Sequence, residues 1–281
     1  MKKALLLFLL LSLTACATPA EEQLPVPDAV ETLAPAPQET EAFTLGIGLS
    51  AHVSKSMHAT FDFPGYARTE VTVAAVVVDG EGVIRACTID GISTVISFDN
   101  TGTLLPSNGT LFPSKTSLGR DYGMHKASAL GTEWYQQAAD YAAACVGKRW
   151  SQLQKGDTVT SVTISTDALR QAVRSAATDA HTAVSSAETP ALFCRAVIDG
   201  SHSASASDDL PGLARLRVAA MCCVGDTTVT CAMISAVPFT TSGRIVCDIS
   251  QSLSALSDVL MPAEIAQEDL SALQQLAAVV P

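Results

Sequence analysis

The sequence predicts an α+β fold, in which an antiparallel β-meander packs with helices and a degenerate second copy follows. Three observations predict it: β-branched runs separated by turn signals, two helical patterns behind them, and a motif that recurs at a constant offset. The length of 281 residues allows one or two modest domains. A hydrophobic content of 48% with only 16% charged residues is typical of a globular chain.

The first meander is predicted from three apolar segments. Residues 70–78, with the sequence EVTVAAVVV, form a strand, and the turn signal DGEG at 79–82 leads into a second strand over 83–90. A third strand covers 93–98. Residues 103–130 are richer in Gly, Ser, Pro and Thr and are predicted mainly as loop.

Two helices are predicted after this loop. Residues 132–146 carry Trp134, Tyr141 and Cys145 at helical spacing, and Gly147 suits the position just past a helix end. A short alternating strand over 158–164 is expected next. Ser165 or Thr166 then begins the second helix, whose predicted apolar face is Leu169, Val173, Ala176 and Ala180.

An internal repeat suggests a second, related unit. The segments SKS at 54–56 and PGYAR at 64–68 recur as SHS at 201–203 and PGLAR at 211–215, each 147 residues further on. The second unit keeps a meander, roughly over 216–248, and is expected to lack the loop and first helix of the first unit. Helices are predicted over 252–260 and from Pro262 to Val279.

The first residues indicate export and lipid attachment. Lys2 and Lys3 precede a short apolar stretch that ends in LTAC at 13–16, the pattern of a bacterial lipoprotein signal. We therefore expect removal of residues 1–15 and lipidation of Cys16, which holds the protein on the extracytoplasmic face of the bacterial cell membrane. Residues 16–42 are rich in Pro and acidic residues and form a tether. The first α+β unit then covers 43–186 and the degenerate second unit 187–281.

Charge and motifs exclude several functional classes. The net charge of −11, which becomes −13 once residues 1–15 are removed, argues against nucleic acid as a partner. No hydrolase, P-loop or metal-binding motif is present, so the sequence predicts neither catalytic residues nor a metal site. Among the five histidines, His125 follows a turn and could line a pocket with Tyr122 and Trp134. Seven cysteines remain after Cys16, and we interpret them as buried small hydrophobes, with disulfides as the alternative.

One stretch resembles a known signature. The segment LGRDYGM at 118–124, followed by AS at 127–128, Gly131 and EWYQQ at 133–137, is similar to uncharacterised lipoproteins of clostridial-type bacteria. The resemblance covers residues 44–180 well and 191–250 weakly. It implies tandem units that open with a Ser-Lys-Ser segment and a meander.

The order of elements also resembles FMN-binding domains, such as the flavin-carrier subunits of ion-pumping oxidoreductases. Their signature is Asp, two residues, Ser/Thr-Gly-Ala-Thr, one residue and Ser/Thr, and the Thr after Gly-Ala carries the flavin. Asp157, Thr160, Thr163 and Ser165 match it, whereas Ser161 and Val162 replace the Gly and Ala. The resemblance implies an alternative function as an FMN-carrying electron-transfer lipoprotein with flavin at or near Thr163. Candidate cofactor-binding residues are then Asp157, Thr160, Thr163, Ser165, Tyr122 and Trp134.

The sequence as a whole predicts a non-enzymatic binding or interaction module without a cofactor. Its expected partners are the membrane, through the N-terminal lipid, and an unidentified protein or small-molecule ligand.

Overall fold

A computed structural model describes residues 42–57, 59–203, 212–241, 247–248 and 261–263. The predicted signal, Cys16 and the tether lie outside these residues, as do most of the two C-terminal helical predictions. The described residues belong to one compact unit.

In the described part of the chain, ten strands form two antiparallel sheets. The first has the order β3-β2-β1-β5, and the second has the order β10-β8-β7-β6-β4, with β9 paired to β8. The strands of the first sheet are β1 (Phe43–Met57), β2 (Gly65–Asp79), β3 (Ile84–Phe98) and β5 (Thr182–Val184). Those of the second are β4 (Leu111–Pro113), β6 (Ala191–His202), β7 (Gly212–Val224), β8 (Thr227–Thr241), β9 (Cys247–Asp248) and β10 (Met261–Ala263).

Three α-helices lie between β4 and β5 in the chain. They are α1 (Lys115–Leu118), α2 (Trp134–Cys145) and α3 (Thr166–Thr178). Three short 3₁₀ helices cover Gly119–Tyr122, Met124–Lys126 and Trp150–Gln152. The α+β class, the antiparallel pairing and the two predicted helices α2 and α3 are therefore confirmed.

Sheet one is buried on both faces, which makes a three-layer arrangement of helices, first sheet and second sheet. Successive residues of a strand point to opposite faces. In β2, Val71 and Val73 belong to the core shared with the second sheet, while Ala74 and Val76 belong to the core shared with α2 and α3. The continuous apolar run over 70–78 is explained by this double burial.

Two glycines allow α3 to lie directly on β1. A Cβ atom on Gly48 would lie 2.6 Å from the backbone oxygen of Ala172, and one on Gly46 would lie 2.7 Å from the Cα of Ala180. Both distances are shorter than real Cβ contacts, so only glycine fits this helix–strand approach. The pair at 46 and 48 therefore serves packing.

The outward face of the second sheet carries a cluster of ion pairs. Arg217 and Arg215 on β7 reach the carboxylate of Asp199 on β6, at 2.9 and 3.4 Å between nitrogen and oxygen. The opposite face of the same strands carries Cys194, Ala196, Leu216 and Val218, which are buried against the first sheet. Along 194–199, Cys194, Ala196 and Ile198 are buried on this face, and Arg195 and Asp199 lie on the other.

Several local predictions are corrected. The two predicted strands over 83–90 and 93–98 are one strand, β3, which continues through Gly91. The predicted strand over 158–164 is wrong, because this segment is an irregular turn. Pro262 lies in β10, where we predicted the start of a helix, and proline is compatible with this strand because β10 is at the edge of its sheet.

The wrong strand at 158–164 has a physical explanation. The backbone N–H groups of Thr163 and Ile164 donate to the Oε1 atom of Gln137 on α2, at 2.7 and 3.2 Å. Val159, Val162 and Ile164 pack against the helix-side core. A buried side-chain amide and a hydrophobic contact thus satisfy this segment without a neighbouring strand.

Candidate binding site at the free edge of the first sheet

A groove of about 500 Å³ opens along the edge strand β3. One wall is residues 85–89 of β3, and the facing wall is α2, which contributes mainly alanine. Thr189 closes the groove on the side of the second sheet, where the Thr88 hydroxyl donates to the backbone oxygen of Pro190 at 2.7 Å. We call this space the edge groove. Its lining from the helix is Ala139, Ala142, Ala143 and Val146.

A smaller cavity of about 260 Å³, which we call the polar cavity because a carboxylate and hydroxyl groups line it, lies further along the same strand. It is lined by Asp90 of β3, by Ser114 and Thr116 at the start of α1, and by residues 192–194 of β6. Asp90 faces the second sheet, because its partner in the ladder, Val73, faces that sheet. The cavity therefore lies at the rim of the layer between the two sheets.

Asp90 is a buried carboxylate held by several donors. Its Oδ1 atom accepts from the backbone N–H of Gly91 at 2.7 Å and from that of Thr116 at 3.1 Å, and the Ser114 side chain also bonds to it. Burial raises the pKa of Asp90 above its ordinary value, and these hydrogen bonds offset only part of the effect. The carboxyl group is thus more easily protonated than one in water.

The thiol of Cys194 lies beside Asp90 in this cavity. Burial raises the pKa of Cys194 well above its ordinary value, and the neighbouring carboxyl group adds to the effect. Cys87 and Cys145, buried in the helix-side core, have raised pKa values mainly for the same reason. A raised thiol pKa leaves little thiolate, so these residues behave as small apolar side chains. Six cysteines of the described chain are free: Cys87, Cys145, Cys194, Cys222, Cys223 and Cys231.

A buried ammonium group lies below the smaller cavity, on the helix side of the sheet. Nζ of Lys115 is 2.8 Å from a carboxylate oxygen of Glu70 on β2. The same atom lies 4.4 Å from the centroid of the Trp134 ring and 5.1 Å from that of Tyr122. Only 6% of the Lys115 side chain is exposed, so the carboxylate and the aromatic faces replace most of its water.

Glu133 fixes the loop that covers this lysine. One of its carboxylate oxygens accepts from the backbone N–H of Met124 at 3.0 Å, and the other bonds to the ring of His125. Burial acts to raise the pKa of Glu133, but the bonds to His125 and Met124 outweigh it and leave the pKa below its ordinary value. The Gln136 side chain caps the start of α2, because its Oε1 atom accepts from the backbone N–H of Glu133 at 2.8 Å.

The predicted site residues separate into two places. Tyr122 and Trp134 come together around Lys115, and His125 lies on the same loop. Asp157, Thr160, Thr163 and Ser165 lie on the turn before α3, and Thr160, Thr163 and Ser165 are exposed. The Thr163 hydroxyl donates to Gln137 at 3.1 Å, and an Asp157 carboxylate oxygen accepts from the N–H of Gln154 at 2.8 Å.

Sequence reasoning missed Glu70, Asp90 and Lys115. Glu70 and Asp90 carried a signal, because they are acidic residues at the borders of the predicted strands over 70–78 and 83–90, although the structure places both inside β2 and β3. Lys115 lies in a segment predicted as loop, and its burial depends on the signature residues 118–137 folding over it. Tyr122 and Trp134 of this segment lie against the ammonium group of Lys115.

No family model, curated protein or solved structure matches the chain. Within the described residues, no group of three or more His, Cys, Asp or Glu side chains is arranged to hold a metal ion. Among the same residues, no helix is long and apolar enough to cross a membrane.

Replacing Asp90 tests the polar cavity. Asp90→Asn keeps an oxygen for the Gly91 and Thr116 donors, so we expect its free energy of unfolding at pH 7 to equal or exceed that of the wild type. Asp90→Ala leaves these donors without a partner and should lose about 1–3 kcal/mol. Urea unfolding of both variants at several pH values measures the effect.

The difference in stability between Asp90→Asn and the wild type should change with pH in a defined direction. The folded-state pKa of Asp90 is raised above the unfolded value of 3.8, so the wild type loses stability as pH rises from that value through the folded pKa. Asn cannot ionise, so the stability of Asp90→Asn relative to wild type should increase over the same interval. A relative stability that decreases over it contradicts the raised pKa.

Proposed function

We propose that this chain is a lipid-anchored, extracytoplasmic binding protein that presents the edge groove to a protein or small-molecule ligand. The observation that carries the proposal is the groove itself. Its volume of about 500 Å³ lies within the range typical of ligand sites, and such sites are concave and mostly apolar. Rigid elements, β3 and α2, form its two long walls.

The order of segments along the chain supports the anchored part of the proposal. A lipoprotein signal ends at residue 15, Cys16 follows, and the acidic tether runs to the residue before β1, which begins at Phe43. An acidic chain that carries its own repulsive charge extends away from an anionic surface. The groove would then be held at a distance from the membrane.

The second meander is, in this proposal, a degenerate copy of the first. The repeated Pro-Gly lies where β2 begins, at Gly65, and where β7 begins, at Gly212. The segments SKS and SHS lie near the ends of β1 and β6. Because the apolar face of β6 and β7 is buried against the first sheet, this copy supports the binding unit as a packing partner.

The flavin-carrier alternative has less support from the geometry. The Thr163 hydroxyl, the expected attachment point, donates to Gln137, and Thr163 lines neither the edge groove nor the polar cavity. Tyr122 and Trp134 contact Lys115 instead of this threonine. A flavin on Thr163 would therefore lie on an exposed turn, outside both cavities.

Replacing Cys16 tests the anchor. Wild-type protein expressed in its bacterial host should fractionate with membranes and carry a diacylglyceryl mass on the peptide that begins at Cys16. Cys16→Ser should remove the lipid, and with it the membrane association that the lipid provides. The matched change Cys223→Ser, at a partly exposed thiol, should leave fractionation unchanged.

Mass spectrometry of the same samples separates the two candidate functions. The binding-protein proposal predicts an unmodified peptide containing Thr163, whereas an added FMN mass on it would establish the flavin carrier. Equal membrane association of wild type and Cys16→Ser would contradict the lipid anchor.

A further inference from the structure

We propose that the edge groove binds an extended peptide, which adds to the first sheet as a fifth strand along residues 86–89 of β3. The inference rests on the proposed function, since it names the kind of ligand that the groove accepts. Its basis is the direction of the backbone groups on this strand and the way both ends of the open edge are closed.

The backbone of β3 turns unused hydrogen-bonding groups toward the groove. β3 is the terminal strand of its sheet and pairs only with β2. At the far end of β3, the backbone oxygen of Ser97 accepts from the N–H of Leu105, and the N–H of Asp99 donates to the backbone oxygen of Thr103. The backbone groups of odd-numbered residues there therefore point away from β2. Gly91 follows this alternation, because its N–H bonds to the side chain of Asp90 and not to β2.

The same alternation directs the N–H and C=O groups of Cys87 and Ile89 into the groove. Within the described residues, the backbone groups of Cys87 and Ile89 form no backbone hydrogen bond outside the ladder with β2. An exposed strand edge with unpaired groups is a template for another strand. Residues 86–89 contain neither a proline nor a charged side chain, the two common devices that block such pairing. The charged residues that border them are engaged elsewhere, Arg85 with Asp79 at 2.7 Å and Asp90 with the N–H of Thr116 at 3.1 Å.

Both ends of the open edge are occupied by the chain itself. At one end Ile84 N donates to Lys148 O at 2.9 Å and Ile84 O accepts from Gly147 N at 2.8 Å, as a strand partner would. At the other end Ser114 forms a bridge with Ile92. The interval from Ile84 to Gly91 spans about 23 Å, enough for a segment of about six extended residues.

The walls of the groove define the peptide. Ala139 and Ala143 are exposed residues of α2 that face the space, and their small side chains leave room above the strand. Alternate side chains of an added strand would point toward these alanines, and the others toward Thr189. We therefore expect an extended peptide with medium-sized apolar residues at every second position, a mode in which main-chain bonds supply affinity and alternate pockets supply specificity.

The test uses the full-length lipoprotein in detergent and a neutral heptapeptide, acetyl-Ser-Val-Thr-Val-Ser-Val-Ser-amide. Titration calorimetry measures its affinity, and hydrogen exchange with mass spectrometry measures protection of residues 84–91. We expect measurable binding together with slower exchange in this segment. A second peptide, N-methylated at alternate residues, lacks the donors that a strand partner needs and should bind at least about tenfold more weakly.

Two variants of α2 complete the design. Ala143→Phe fills the groove from an exposed position, so folding should be retained while affinity for the peptide falls by at least about tenfold. Asp140→Phe places the same ring on the same helix at an exposed residue that does not line the groove, and should bind the peptide as wild type does. Circular dichroism of both variants confirms the fold.

The outcomes separate the inference from the proposed function. Equal binding of the two peptides, or binding without protection of residues 84–91, overturns strand addition. Anilinonaphthalene sulfonate, a small apolar probe, is then added to wild type and to Ala143→Phe. If the probe binds to wild type and not to Ala143→Phe, the groove is a ligand site that does not act by strand addition. If neither the peptides nor the probe bind, the strand-addition inference and the proposed function are both overturned.

Discussion

Lys115→Met is expected to lower the free energy of unfolding by about 3–5 kcal/mol, the cost of leaving a buried charge without its partner. Glu70 would keep its carboxylate beside Ser93, whose hydroxyl donates to it at 2.9 Å, but would lose the ammonium group at 2.8 Å. The Trp134 and Tyr122 rings would lose the cation that they enclose. Urea unfolding followed by tryptophan fluorescence and circular dichroism measures the loss.

A double-mutant cycle identifies the cause of this effect. Glu70→Gln removes the uncompensated charge, so Lys115→Met combined with Glu70→Gln should recover a large part of the stability lost in the single variant. Lys155→Met is the matched control, because its side chain is 80% exposed and 3.9 Å from Asp167; it should change stability by less than about 0.5 kcal/mol. Additive effects of the two substitutions at 115 and 70 would show that the pair is not coupled.

Gly48→Ala should destabilise the fold by about 3 kcal/mol, at the upper end of the range for overpacking a core with one methyl group. The added carbon meets the backbone of Ala172 and Ala176 in α3 and not a side chain that could rotate away. The helix would have to move off β1, with loss of contacts made by Val173 and Ala176. Chemical denaturation and the amide exchange rates of α3 are the measurements.

Gly80→Ala provides the control for the loss of chain entropy that every Gly-to-Ala change brings. A Cβ atom at Gly80 meets nothing within 4 Å, so this variant should lie within about 1 kcal/mol of wild type or be slightly more stable. If the two variants behave alike, the close approach of α3 to β1 does not limit stability.

The elements predicted best are those whose own residues decide their structure. The run over 73–78 is apolar on both faces and rich in valine, which favours a buried strand. The turn at 79–82 is fixed locally, because an Asp79 carboxylate oxygen accepts from the N–H groups of Glu81 and Val83. The apolar stripe of α3 likewise predicts both a helix and the face that it buries. In these segments the local sequence pattern predicts the same buried residues that the structure shows.

Sequence reasoning missed strand β1, although apolar residues alternate with glycines and polar residues from Phe43 to Val53. Gly46 and Gly48 lower strand propensity, and both are required by a helix that lies more than a hundred residues further along the chain. The turn at 158–164 shows the converse, since its β-branched residues favour a strand but no strand lies beside them. Its backbone donors are satisfied by Gln137, a residue on α2.

The candidate site depends on similar long-range contacts. The resemblance to flavin carriers directed attention to Thr163, and the lipoprotein signature directed it to residues 118–137, yet neither indicates the lysine that the signature encloses. Glu70, Lys115 and Trp134 come from three elements, and their proximity requires the pairing of β2 with β3 and the position of α2. The edge groove is equally a property of the assembled sheet, since no residue pattern shows which strand is terminal.

The place where the chain enters the sheet has a mechanical consequence. β1 begins at Phe43 and is paired along its length with β2, from Phe43 opposite Asp79 to Ser54 opposite Arg68, and β2 is paired in the same way with β3. A pull on the chain ahead of Phe43, balanced by a load on β3, would run along the strand direction through two antiparallel ladders. The hydrogen bonds of each ladder would then resist together in shear, and not open one after another as in a peeled hairpin.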